Sequence, residues 1–105
     1  MIVEKIKPDE VYSLKLVTGE EIVARLVEDG NGYYKIFKPL VLSVTAQGAA
    51  MTPFLFTAEI EGNINVPKTA VIALALTEKQ TAGQYTKGTA NLTISNPTTN
   101  PPRII

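Results

Sequence analysis

The sequence predicts an all-β domain, a sandwich or a barrel, on three observations. Apolar and polar residues alternate through most of the chain. Glycine, proline and asparagine clusters interrupt that alternation at short intervals. Only one segment, near residues 77–87, allows a helix. At 105 residues the chain has the size of one domain. A core this small often gains burial from a partner surface.

The first strand is expected at 12–17, with Leu14 and Leu16 on one face and Ser13 and Lys15 on the other. Thr18-Gly19-Glu20-Glu21 supplies a turn, with Gly19 free to take positive φ. The second strand, 22–28, places Ile22, Ala24 and Leu26 on the buried side. Opposed residues of an antiparallel pair face the same way, so paired numbers sum to an even value and the hairpin loop is odd. Pairing Leu16 with Ile22 sets Lys15 opposite Val23 and leaves 18–20 as the loop. Pairing Leu16 with Ala24 instead would oppose Lys15 and Arg25, a like-charge clash.

Asp29-Gly30-Asn31-Gly32 is the strongest turn signal. The third strand runs 33–45 and is interrupted by Pro39, which marks a bend, bulge or edge. Tyr34 is in phase with Ile36 and expected in the core, with Tyr33 exposed. Residues 46–53 read as a connection. Phe54, Phe56, Ala58 and Ile60 then alternate as one face of a fourth strand, with both phenylalanines expected in the core. Ile64 and Val66 continue the alternation up to Pro67. The fifth strand, Thr69–Leu76, is apolar on both faces, so it is either central or completed by a neighbouring subunit. Residues 77–87 allow a short helix with Thr77 as its N-cap. The Thr/Asn/Pro-rich tail has the composition of a mobile segment, with a short strand allowed at Asn91–Ser95. The expected division is therefore 1–88 for the barrel and its following helix or turn, and 89–105 for the tail.

Composition narrows the chemistry. Ten basic residues balance ten acidic ones, whereas duplex-binding proteins generally carry a basic excess. Cysteine and histidine are absent from the sequence. Their absence removes thiolate nucleophiles, thiolate and imidazole metal ligands, and the commonest general base. The carboxylates lack calcium-loop spacing. The expectation is a non-enzyme with no cofactor, no metal and no small-molecule substrate. The longest apolar run, Ala70–Leu76, is too short to span a bilayer. Residues 1–8 lack the apolar stretch of a secretory signal, so a cytoplasmic protein without membrane attachment is expected.

The block SLKLVTGEEIVARLVEDGNGYYKIFKPLVL, with Gly19, Ile22, Ala24 and Leu26 in its first hairpin, resembles the first motif of Sm and Sm-like proteins. Across 12–88 the chain is similar to small Sm-like proteins encoded by marine bacteriophages. It shares their LVTGEE turn, a proline in the third strand, TPF before the fourth, VPKTAV before the fifth, and a tyrosine beyond. The resemblance implies a strongly bent five-stranded antiparallel Sm-like (SH3-like) barrel. It also implies homo-oligomeric rings built by strand pairing, here through the Phe54–Ile60 and Thr69–Leu76 strands, and host-cell cytoplasm if phage-encoded. The family's usual activity is single-stranded RNA binding, which implies Asn31, Tyr33, Asn63 and Lys68 as nucleic-acid-binding candidates. Lys15, Arg25, Lys35 and Lys38 could add a basic stripe on the outer face. Two departures weigh against RNA. The turn at 29–34 is out of phase with the family pattern, and Glu61-Gly62-Asn63 stands where Arg-Gly-Asn is usual, with a carboxylate in place of a guanidinium.

Overall fold

In the computed structural model the described residues are 7, 9–59 and 61–94, with backbone alone described from 90 to 94. The described residues form an antiparallel sheet of six strands and one helix: β1 Val11–Leu16, β2 Glu21–Asp29, β3 Tyr33–Thr45, β4 Gly48–Pro53, β5 Asn63–Pro67, β6 Val71–Leu76 and α1 Lys79–Ile94. A 3-10 turn, Lys68–Ala70, links β5 to β6. The all-β class is as expected. The sheet does not close into a barrel, because its order is β4-β3-β2-β1-β6, with β5 on the other half of β3.

The β1–β2 hairpin obeys the even-sum rule but lies two residues from the expected register. Leu14 pairs with Ile22, and Lys15 faces Glu21 rather than Val23. The loop is therefore 17–19. Gly19, at φ 109°, occupies its last position, and its N–H donates to the Leu16 carbonyl at 2.9 Å. This is the place where a three-residue loop needs positive φ. The register also converts a charge beside an apolar residue into an opposite-charge pair.

Pro39 marks a bulge, as its missing N–H requires. Val23 pairs with Leu40 and Arg25 with Phe37, so Lys38 and Pro39 together oppose Ala24. Lys38 takes φ 52°, a left-handed conformation uncommon for a residue with a Cβ. The bulge bends β3 so that its first half pairs with β5 and its second with β4.

Three segments differ from expectation. Residues 48–53, expected as a connection, are β4. Gly48 at φ 118° admits a tight turn, held by the Thr45 hydroxyl donating to the Gly48 carbonyl at 3.1 Å. Residues 54–59, expected as a strand, form a loop after Pro53, started by the Phe54 N–H on the Pro39 carbonyl at 3.0 Å. Phe54 packs on the core, but Phe56 is 71% exposed. Ile60 lies outside the described residues. The helix begins at Lys79, and Glu78 caps it in place of Thr77. The Glu78 carboxylate accepts from the Gln80 and Thr81 N–H groups, both at 3.2 Å. Thr77 is already committed, its N–H to Val11 and its hydroxyl to that of Ser13. The helix continues through Gly88 to Ile94, so residues 91–94 are helical rather than a strand. Residues 95–105 of the expected tail lie outside the described residues.

Two apolar cores result. The even-numbered residues Leu14, Leu16, Ile22, Ala24, Leu26 and Ile36 form the first, with Tyr12 and Val66. Tyr34 is half-buried against it, as its phase requires. The opposite face carries the second, in which Val11, Val23 and Leu40 pack against Tyr85 of α1. The Tyr85 hydroxyl lies 3.0 Å from the Phe37 carbonyl and 2.8 Å from the Lys38 carbonyl. Its single proton is shared between these two adjacent carbonyls at the bulge.

Burial pushes the Tyr85 phenol up to about 12, against an ordinary value of 10.0. The folded state therefore keeps a proton that the unfolded state releases first, so this contribution is intact below pH 10.0 and is lost across pH 10.0 to about 12. Tyr85→Phe should lower stability by about 1–3 kcal/mol at neutral pH, because the bulge carbonyls lose their donor. It should also blunt alkaline unfolding, and chemical denaturation at pH 7 and pH 11 measures both effects.

Candidate functional site

The four nucleic-acid-binding candidates divide between two places. Asn31 is exposed in the β2–β3 turn, and Tyr33 opens β3 beside it. Lys68 joins them, because Pro67 pairs with Tyr33 and the Lys68 N–H donates to the Gly32 carbonyl at 2.9 Å. Asn63 pairs with Phe37 at the far end of the same ladder. Four strand residues separate it from that cluster, about 13 Å at the rise of a β-strand. The structure thus gathers Asn31, Tyr33 and Lys68 and leaves Asn63 apart.

Charge within the cluster is internally matched. The Lys68 ammonium lies 2.5 Å from the Asp29 carboxylate and 4.9 Å from the centre of the Tyr34 ring. The bond to Asp29 holds the Lys68 ammonium above the ordinary lysine value. Lys35 pairs with Glu28 at 3.4 Å, and the Tyr33 hydroxyl donates to the same carboxylate at 3.3 Å. A phosphate here would have to displace carboxylates that already hold both lysines. Asp29 and Tyr34, which set the state of Lys68, were not singled out as its partners in the sequence. Only the β3–β5 pairing brings these residues together.

The basic stripe is similarly matched along its length. Lys15 faces Glu21 across the hairpin. Arg25 donates through Nη1 to the Asp9 carbonyl at 2.7 Å. Lys38 lies 3.7 Å from Glu61, the residue of the acidic departure. Among the described residues no group of three or more histidine, cysteine, aspartate or glutamate side chains is placed to hold a metal ion. No described helix is long and apolar enough to cross a membrane.

The sheet edges form a second candidate region. β6 is VIALAL and, among the described residues, pairs only with β1. Ile72 is 63% exposed and Leu76 52%. The Thr77 N–H bonds to Val11, so ladder alternation directs the backbone groups of Ala73 and Ala75 at β1 and those of Leu74 and Leu76 outward. β4 is GAAMTP and, among the described residues, pairs only with β3. The Phe54 N–H on Pro39 fixes its phase, which turns the backbone groups of Ala49 and Met51 outward. Neither strand contains a charged residue, although charge is the usual protection of a sheet edge. Of the two segments expected to pair between subunits, 69–76 supplies an edge strand from Val71, whereas 54–59 does not.

The Tyr33 ring also explains Gly30. A Cβ on Gly30 would lie 2.2 Å from the ring. Gly30→Ala should therefore displace Tyr33 and cost about 1–3 kcal/mol, the usual range for overpacking. In a Tyr33→Ala background the same change should cost almost nothing, and a double-mutant cycle by chemical denaturation measures the difference. No protein-family model matches this chain, and no curated protein matches it.

Proposed function

We propose that this domain is a non-enzymatic assembly module that joins copies of itself through the open edges of its sheet. The observation that carries this reading is β6, a strand of six apolar residues with one edge unpaired among the described residues and with Ile72 and Leu76 exposed. Such an edge aggregates unless something covers it. β4 is the complementary edge. It has the same length of six residues, carries no charge, and lies at the opposite end of the strand order. β5 is a poorer acceptor because Asn63 and Asn65 are exposed along it. Joining β6 of one copy to β4 of the next is a head-to-tail contact, which gives a ring when the rotation closes. This agrees with the strand-built rings that the Sm-like resemblance implies. The absence of cysteine and histidine supports a role without catalysis.

RNA binding is the second reading, favoured by the gathering of Asn31, Tyr33 and Lys68 at one end of the sheet. The ion pairs that hold Lys68 and Lys35 favour assembly over it. Filter binding with A-rich and U-rich oligonucleotides tests it. Retention below ~0.1 mM that falls with salt would support RNA binding.

Native mass spectrometry at micromolar concentration tests assembly, and the wild-type chain should exceed a monomer. Leu76→Glu and Ala49→Glu each block one edge and should each give monomers. An equimolar mixture of the two should recover a one-to-one dimer, because one intact edge of each kind remains. A monomeric wild-type chain would sink the proposal.

A further inference from the structure

The helix α1 rests on the sheet along a narrow line. Its described contacts with the sheet centre on Tyr85, with Ala82 packed beside it against Val11, Val23, Leu40 and Met51. A groove of ≈ 480 Å³ runs along one flank, between Leu42, Ala49 and Met51 on the sheet and Gln84 and Gly88 on the helix. A groove of ≈ 460 Å³ runs along the other, between Arg25 and Thr86. The buried hydroxyl of Thr89 donates back into its own helix, to the Tyr85 carbonyl at 2.9 Å. Gly83 and Gly88, together with Thr81, Thr86, Thr89 and Thr93, make the segment a weak helix former. It holds its shape because it is docked.

The two ends of this arrangement are unlike. At its start the helix is tied to β1 through the Thr77 N–H on Val11 and the Thr77 hydroxyl on Ser13. The sheet beneath keeps the first core on its opposite face, and none of the described side chains of α1, residues 79–89, belongs to that core. Undocking α1 therefore leaves Leu14, Ile22, Leu26 and Ile36 buried and uncovers Val11, Val23 and Leu40.

We propose that α1 is a strap that opens on the folded sheet, hinged at Thr77-Glu78 and latched by Tyr85 on the Lys38–Pro39 bulge. Opening is a local event of lower cost than unfolding, as expected of an element with few buried contacts. The latch is specific. One hydroxyl serves two adjacent carbonyls, and the ring fills the space between Val23 and Leu40. An open strap presents an apolar face that the closed domain conceals.

Native-state hydrogen exchange on the full chain tests this. Helix amides at 86–89 should exchange at least ~10-fold faster than those of Leu26 and Ile36. Tyr85→Phe should speed helix and sheet amides alike by ~5–10-fold, because it destabilises the docked state from which both open. Gly83 has open space around the position of a Cβ. Gly83→Ala should slow helix exchange by ~2–5-fold by stabilising the docked helix. Ile22→Val, in the first core, should speed the two sheet amides by ~3–10-fold and leave the helix amides unchanged, because the open strap keeps that core. Equal protection in helix and sheet, a matching rise of helix exchange in Ile22→Val, or failure of Tyr85→Phe to fold would overturn the proposal. Each would place α1 in the same cooperative unit as the sheet.

Discussion

The bend of β3 is the constraint from which the rest of the structure follows. A straight strand of thirteen residues would present one pair of edges to one pair of neighbours. The bulge at Lys38–Pro39 divides it, so that one half is bordered by β5 and the other by β4. The bulge has two visible consequences. Lys38 accepts a left-handed backbone, and the Phe37 and Lys38 carbonyls receive the Tyr85 hydroxyl. That bond brings α1 onto the outer face. A proline in the middle of the sequence thus accounts for a strand crossing two halves of the sheet and for a helix docked over the crossing.

The same constraint separates what was legible in the sequence from what was not. β1, β2 and the first half of β3 share the face of the first core, and their alternation specified both strands and phase. Gly19 and Pro39 specified the turn and the bend because each supplies a backbone property that few other residues offer. The β4 ribbon was not legible. Ala49, Ala50 and Thr52 are exposed, so no burial imposes a pattern on them, and the strand is held by its backbone ladder and the turn at Gly48. Residues 54–59 failed in the opposite way. They alternate, but the border they would have taken on β3 is occupied by Asn63–Pro67. Val23 was expected on the face opposite Ile22, Ala24 and Leu26, and the helix that buries it arrives from a distant part of the chain.

The candidate cluster around Lys68 follows a similar logic. Asn31, Tyr33 and Lys68 were recognisable as residue types suited to bases and phosphates. Glu28 faces Lys35 across the β2–β3 hairpin, and only the ladder between β3 and β5 carries Lys68 to Asp29. The described ion pairs, Lys35 with Glu28, Lys38 with Glu61 and Lys68 with Asp29, lie on inner strands and turns. The two terminal strands of the sheet carry no charge.

The long separation between β1 and β6 has a consequence for how the chain is made. Ser13 and Thr77, bonded across that pair, are 64 positions apart. During synthesis the β1–β2–β3 meander emerges first, with the outer border of β1 vacant until residues 71–76 follow. Closing so long a loop is entropically slow, and contacts of this span delay folding more than local hairpins do. In a crowded polysome the vacant border of β1 meets finished β6 segments of neighbouring nascent chains. Reciprocal exchange of β6 between two molecules, with every native pairing kept but made in trans, is the characteristic misassembly of this topology.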